Sequence, residues 1–120
     1  MPATLTTESE FQSALRVWER AQVIQNGPAR LTEAAAFVES IAARPAEFEP
    51  LVIEALASPN QLIVAYCLVT LDRMRSGALQ HLPAELLERR QQIILQSGSF
   101  STSMELGGLA AQLAAKWKRK

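Results

Sequence analysis

A chain of 120 residues, of which 48% are hydrophobic and 20% charged, has the composition of one folded domain and excludes an intrinsically disordered chain. Its net charge is zero, but acidic residues outnumber basic ones up to residue 71, and basic residues outnumber acidic ones afterwards. This polarity either steers a charged partner or is only an uneven solvated surface. The single cysteine, Cys67, excludes a disulfide framework, so we expect a reducing, cytoplasmic environment.

No stretch approaches the roughly 18 uncharged apolar residues of a membrane span, and residues 1–11 lack the basic and apolar segments of an export signal. We therefore expect neither a membrane protein nor one exported by such a signal. Strand and hairpin signals are missing, whereas helical spacing of apolar residues recurs along the chain. The sequence predicts an all-α domain of antiparallel neighbours, with helices near residues 7–25, 30–43, 46–57, 59–75, 83–96 and 102–117.

The first two helices are predicted from their caps and stop signals. Thr7 and Glu10 have the spacing of a capping box, and an apolar stripe follows that includes Trp18. The Asn-Gly-Pro run at residues 26–28 is predicted to end the first helix. Pro45 is predicted to end the second, because proline disfavours helical geometry in the residue before it.

The third and fourth helices differ in how their apolar residues are distributed. The third has one stripe, made of Phe48, Leu51, Val52, Ala55 and Leu56. Ser58 and Pro59 are predicted to supply the N-cap and a first-turn proline of the fourth, which is apolar on every side. A helix of that kind is buried on all sides, so the fourth helix is predicted to lie at the centre of the domain. Its only exposed edge is predicted to carry Tyr66, Thr70 and Arg73.

The fifth and sixth helices complete the prediction. Pro83 is predicted to open the fifth, whose buried side would carry Leu86, Leu87, Ile93 and Ile94. The sixth begins with a capping box of Thr102 and Glu105, followed by an apolar stripe up to Trp117. The pair at residues 107–108, Gly-Gly, then lies more than one turn inside that helix. It indicates either a close approach of another helix or a groove for a ligand.

A repeat relates the middle of the chain to its end. Aligning Pro59 with Ser101 places residues 51–53 over residues 93–95, and Leu71 over Leu113. Two helices repeated every 40–47 residues or so are typical of HEAT and armadillo arrays. The turn Ser-Pro-Asn at residues 58–60, followed by a helix with small residues, resembles the inter-helix turn and second helix of a HEAT repeat. This resemblance covers residues 46–75 and 85–117.

The resemblance implies a fold and a kind of function. The fold is a short, right-handed, HEAT-like array of stacked antiparallel helix pairs. The function is binding of another protein through exposed helix edges. The aligned helices would lie side by side, with Tyr66 level with Gly108 and Thr70 level with Gln112. Tyr66 is then either an interface residue, with Arg73 adding directional hydrogen bonds, or it simply packs over Gly108.

The sequence contains few residues that could serve in catalysis or bind a metal ion. His81 is predicted to be a surface residue, and Cys67 lies within an apolar helix and is expected to act as a small core residue. No His, Cys or carboxylate residues cluster as ligands or as an acid–base pair. We therefore expect no metal, no cofactor and no enzymatic activity.

The C-terminal residues interleave cations with the aromatic Trp117. The cations are Lys116, Lys118, Arg119 and Lys120. They either contact nucleic acid or complement the negative end of a helix dipole. The leading hypothesis is a non-catalytic protein-interaction module, of the adaptor or inhibitor type. The alternatives are a small nucleic-acid-binding domain that uses the basic C-terminal half and, disfavoured by the missing titratable cluster, a small enzyme or ligand pocket.

Overall fold

The computed structural model describes residues 3–21, 24–25, 33–97 and 100–118. Within these ranges the chain is mostly α-helical, as the sequence predicts, and a small sheet is added to the helices. The elements in chain order are α1 (Ala3–Arg20), β1 (Ile24–Gln25), α2 (Glu33–Ala42), α3 (Pro45–Ala55), α4 (Gln61–Met74), a 3-10 helix (Gly77–Gln80), α5 (Ala84–Leu87), β2 (Gln92–Ser97), β3 (Phe100–Glu105) and α6 (Leu106–Lys118). None of the described helices has both the length and the apolar character needed to cross a membrane.

Helix α4 lies at the centre of the fold. Every residue from Ile63 to Leu71 is buried, and the helix contacts α1, α2, α3, α6 and strand β2. This confirms the prediction that the fourth helix, which is apolar on every side, lies at the centre of the domain. The same burial contradicts the prediction that α4 has an exposed edge at Tyr66 and Thr70, which are 1% and 0% exposed.

The start of α4 differs from the prediction by two residues. Asn60 is its N-cap, and its Oδ1 accepts hydrogen bonds from the backbone N–H groups of Leu62 (2.8 Å) and Ile63 (3.3 Å). Ser58 instead accepts a hydrogen bond from the N–H of Asn60 through its hydroxyl oxygen. The Ser58-Pro59 pair therefore shapes the turn before the helix, while Asn60 satisfies the free amides of its first turn.

Helix α1 begins earlier and ends earlier than predicted. It starts at Ala3, so Thr7 lies inside the helix and is not its cap. It ends at Arg20 because the chain then enters the sheet, where Ile24 pairs with Leu95 of β2. The stop signal predicted at residues 26–28 lies outside the described residues. So do residues 30–32, the predicted start of the second helix.

The largest correction concerns the predicted fifth helix at residues 83–96. Helix α5 has only four residues, and residues 92–97 form strand β2, which pairs antiparallel with β3 from Gln92↔Glu105 to Ser97↔Phe100. Thr102 therefore lies in β3, and the predicted capping box with Glu105 is wrong. The burial pattern of β2 alternates as a strand requires, since Ile93 is buried and Ile94 is 42% exposed.

Helices α4 and α6 run in the same direction. Near their N-terminal ends, the Arg89 guanidinium donates to the carbonyls of Ser58 and Pro59, while the Arg89 carbonyl accepts from Gly107 N–H at 2.8 Å. Near their C-terminal ends, Asp72 accepts a hydrogen bond from Trp117 Nε1 at 2.9 Å. The repeat does not extend to residues 92–97, because these form a strand. The HEAT-like stacking of helix pairs otherwise stays a prediction.

Gly107 is the point at which α6 meets the preceding backbone. A Cβ added there would lie 2.2 Å from the carbonyl oxygen of Leu87 and 2.8 Å from that of Arg89. The glycine pair lies in the first turn of α6 and not more than a turn inside it, which corrects the predicted position. The expectation of a close approach is confirmed for Gly107. At Gly108 a Cβ would make only an ordinary 3.5 Å contact with Met104.

Candidate functional site

An apolar groove of about 450 Å³ lies between the C-terminal part of α3 and the segment that runs from the 3-10 helix through α5. Its apolar lining includes Ile53, Leu56, Ala57, Leu82, Pro83 and Leu86, and its polar lining consists of His81, Glu85 and Arg89. Leu56 and Leu86 are buried core residues, whereas Ile53 is 40% exposed. The floor of the groove is thus part of the hydrophobic core, and one large apolar side chain remains accessible to a partner.

The wall opposite α3 is positioned by a serine and a proline. The Ser76 hydroxyl donates to Glu49 Oε2 on α3 and accepts from Ala78 N–H at 3.1 Å, so it caps the 3-10 helix and ties it to α3. Pro83 is the N-cap of α5 with φ −63° and ψ 145°, the extended geometry that proline favours. The Ser76 hydroxyl therefore ties this wall to α3, and the wall also packs against α6 through the 3-10 helix and α5.

Arg89 is the lining residue of the groove whose side chain is fixed by hydrogen bonds. Its Nη1 donates to the carbonyl of Ser58 at 2.9 Å, its Nη2 to the carbonyl of Pro59 at 3.0 Å, and its Nε to Gln91 Oε1 at 2.7 Å. All three side-chain nitrogens are engaged within the chain. Arg89 thus joins the segment after α5 to the turn before α4, and its role in the groove is positional.

Titratable groups are sparse at the groove. His81 and Glu85 are exposed on its polar side. Across the described ranges, no three or more His, Cys, Asp and Glu side chains come together as a metal site would require. Cys67 is buried in α4, as predicted, and burial raises the pKa of its thiol, which keeps the sulfur protonated.

The protein-binding site predicted from the sequence is not one exposed surface. Tyr66 stacks on Trp18 of α1, with ring centroids 5.6 Å apart and planes 9° from parallel, and the Thr70 hydroxyl donates to the Tyr66 carbonyl at 2.7 Å. Both side chains are inaccessible, and the aromatic pair lies in the contact between α1 and α4. Of the other predicted residues, Arg73 is exposed and forms an ion pair with Glu39 at 2.9 Å. Gln112 is exposed, and Gly108 is half-buried.

The C-terminal cations are only partly within the described residues. Lys116 Nζ lies 3.0 Å from Asp72 Oδ1 and 3.1 Å from Oδ2, and the same carboxylate accepts from Trp117 Nε1. Trp117 is half-buried against the core. The side chain of Lys118, and all of residues 119–120, lie outside the described part. The cation that is described is therefore used to join α6 to α4.

The groove was not predicted, although one sequence signal points to it. Ile53 falls off the apolar stripe predicted for the third helix, which contains Leu51, Val52 and Leu56. Such a residue becomes a candidate contact where it adjoins other accessible apolar surface, as Ile53 adjoins the groove. The second wall cannot be predicted in the same way, because the sequence predicts that Pro83 opens a long helix, and that helix does not form.

A second depression, of about 270 Å³, lies between α1 and α3 and includes Phe11, Leu15 and Leu51 in its lining. It lacks a large apolar side chain with the exposure of Ile53, so the groove beside Ile53 is the better candidate. A scan against protein-family models and searches of curated proteins and of solved structures found no match to this chain.

Proposed function

We propose that this chain is a non-catalytic protein-interaction module, of the adaptor or inhibitor type, which takes an apolar side chain of another protein into the groove beside Ile53. The observation that carries the proposal is the 40% exposure of Ile53 next to a groove whose floor is continuous with the core. Leaving such a side chain in water forgoes roughly 25 cal/mol for each Å² of apolar surface that a partner would cover.

The groove suits a partner side chain because its walls are already in place. Leu56 and Leu86 are buried in the free chain, and Arg89 and Ser76 fix the two sides of the groove by hydrogen bonds. A pre-formed site loses little conformational entropy on binding. Interfaces commonly place an apolar contact in such a pocket and surround it with a polar rim. Here His81 and Glu85 are the groups available to hydrogen-bond the partner's backbone.

The test is site-specific photo-crosslinking in cells that express the native chain. A photoreactive amino acid replaces Ile53 in one variant and Ile94 in the control, because Ile94 has the same side chain, a similar exposure of 42% and a position outside the groove. We expect a protein adduct from position 53 that persists after nuclease treatment and is missing from position 94. Adducts of two copies of this chain are set aside by their mass.

The captured protein is then purified and its affinity measured. We expect Ile53→Glu to weaken binding by about tenfold or more, and Ile94→Glu to leave it unchanged. Both variants should keep the thermal unfolding midpoint of the parent, since both side chains are already partly in water. Equal adducts from the two positions, adducts removed by nuclease, or equal affinities of the two variants would each contradict the proposal.

A further inference from the structure

Strand β3 forms one edge of the sheet. The order of strands is β1-β2-β3, so within the described residues β3 has a strand neighbour on one side only. Its residues Ser101, Thr102 and Ser103 have exposed side chains. Edge strands are usually protected from pairing by lysine, proline, a bulge or a covering element. Residues 101–104 contain no lysine and no proline, and the register across from β2 is unbroken.

The register determines which backbone groups face away from β2. Leu106 N–H donates to the carbonyl of Gln91 at 2.8 Å, and these two residues continue the pairing that joins Gln92 to Glu105. Hydrogen-bonded pairs alternate with non-bonded pairs in an antiparallel ladder, so Thr102 and Met104 bond to β2. Of the residues between them, Ser101 and Ser103 direct both their N–H and C=O groups outward. Glu105 directs its N–H outward, whereas its C=O accepts the first hydrogen bond of α6.

A second copy of β3 fits this edge in one favourable register. Around a two-fold axis at Ser103, each Ser103 faces its equivalent, and Ser101 of one copy faces Glu105 of the other. The two Ser103 residues then exchange two hydrogen bonds, and each Glu105 N–H donates to the C=O of the facing Ser101, which gives about four bonds in total. The Ser101 hydroxyl of each copy can donate to the Glu105 carboxylate that faces it. No like charges lie opposite each other in this register. A register centred on Glu105 would place two carboxylates face to face.

We infer that this chain self-associates through antiparallel pairing of β3 with β3 of a second copy, with Ser103 on the two-fold axis. The pairing joins two small sheets into one continuous sheet. None of the residues that line the groove beside Ile53 belongs to β3, so the inference does not rest on that groove. Since an edge pairing buries little side-chain surface, the dimer is expected to be weak, with a dissociation constant of about 10–100 μM.

Cysteine crosslinking tests the register directly. In the proposed pairing the two Ser103 Cα atoms lie about 5.5 Å apart, within the range that a disulfide spans. In the same register the two Ser101 residues are offset by four residues along the paired strands. Their Cα atoms therefore lie about 13 Å apart. We expect Ser103→Cys to form a disulfide-linked dimer in oxidised glutathione, and the matched control Ser101→Cys to stay monomeric. Native Cys67 is buried and does not compete.

Measuring the molecular mass in solution is a second, independent test of the self-association. Sedimentation equilibrium of the unmodified chain should show a rise from monomer to dimer mass between about 1 and 500 μM. Ser103→Pro should remove that rise while keeping the parent's circular dichroism, because the N–H of Ser103 is not used in the pairing with β2. A monomer mass at every concentration, or disulfide formation by Ser101→Cys as fast as by Ser103→Cys, overturns the inference.

Discussion

Helix α4 and the segment from Ala84 to Gly107 pack against the rest of the protein in different ways. Helix α4 is held by side chains, since nine consecutive residues from Ile63 to Leu71 are buried among the surrounding elements. The later segment is held by its backbone as well as by buried side chains such as Leu86, Ile93 and Leu106. It contributes β2 and β3 to the sheet, and its carbonyls at Leu87 and Arg89 touch the backbone of Gly107.

This difference determines which substitutions each region tolerates. Side-chain packing in α4 depends on the volume of apolar groups, and a lost group leaves a cavity whose cost grows with its size. A backbone contact such as that at Gly107 depends on the absence of a single carbon atom. We therefore expect large effects in α4 from removing atoms, and large effects near Gly107 from adding one.

The largest expected effect is at the centre of α4. Tyr66→Ala should lower the free energy of unfolding by about 3–5 kcal/mol, because it removes the ring stacked on Trp18 and leaves a buried cavity. Chemical denaturation measures the change. Arg73→Ala is the control on the same helix, where the exposed ion pair to Glu39 contributes no more than about 1 kcal/mol. Equal losses for the two variants would mean that α4 is not central.

The second-largest loss of stability is expected from adding an atom to the protein rather than from removing atoms. Gly107→Ala should destabilise the protein by about 3 kcal/mol, since the new Cβ would lie 2.2 Å from a backbone oxygen that cannot move aside easily. Gly108→Ala is the matched control one residue later. It meets only the end of Met104, and it should change stability by less than about 1 kcal/mol, toward greater stability. Similar thermal midpoints for both variants would refute the backbone contact.

A smaller effect is expected where a side chain joins the two regions. Arg89→Met keeps much of the apolar stem but removes the donors to the carbonyls of Ser58 and Pro59, so it should cost about 2 kcal/mol. Arg90→Met, at the exposed neighbouring position, should cost less than about 0.5 kcal/mol. Urea unfolding of both variants measures their free energies of unfolding. An equal decrease in the two would contradict a specific role for Arg89.

The smallest effect concerns the end of α6. Truncation after Trp117 removes residues 118–120 and should change the free energy of unfolding by less than about 0.5 kcal/mol, because Lys116 and Trp117 keep their contacts with Asp72. Binding to duplex and single-stranded DNA is measured at low salt in parallel. DNA binding by the full chain that the truncated chain loses would favour the nucleic-acid hypothesis over protein binding.

The candidate site could be predicted only in part. The apolar stripe of α3 assigns Val52 and Leu56 to the core and leaves Ile53 outside it, which is what the structure has. The opposite wall depends on a four-residue helix and on hydrogen bonds from Arg89 to residues 30 and 31 positions earlier in the chain. Contacts between residues so far apart in the chain produce no periodic pattern in the sequence. The site predicted instead, at Tyr66, was wrong because no pattern shows which neighbour covers a given side of a helix.

By itself, the sequence determined the elements whose hydrogen bonds and packing period are local. Helices α2, α3 and α4 follow from the helical spacing of their apolar residues, because a helix bonds each residue to one four positions away. Only the tertiary structure decided that residues 92–97 form a strand. Isolated, their apolar residues suit either state, and the bonds that select a strand come from Ile24–Gln25 and from Phe100–Glu105. The tertiary structure also decided that Tyr66 is a core residue, because Trp18, far away in the sequence, stacks against it.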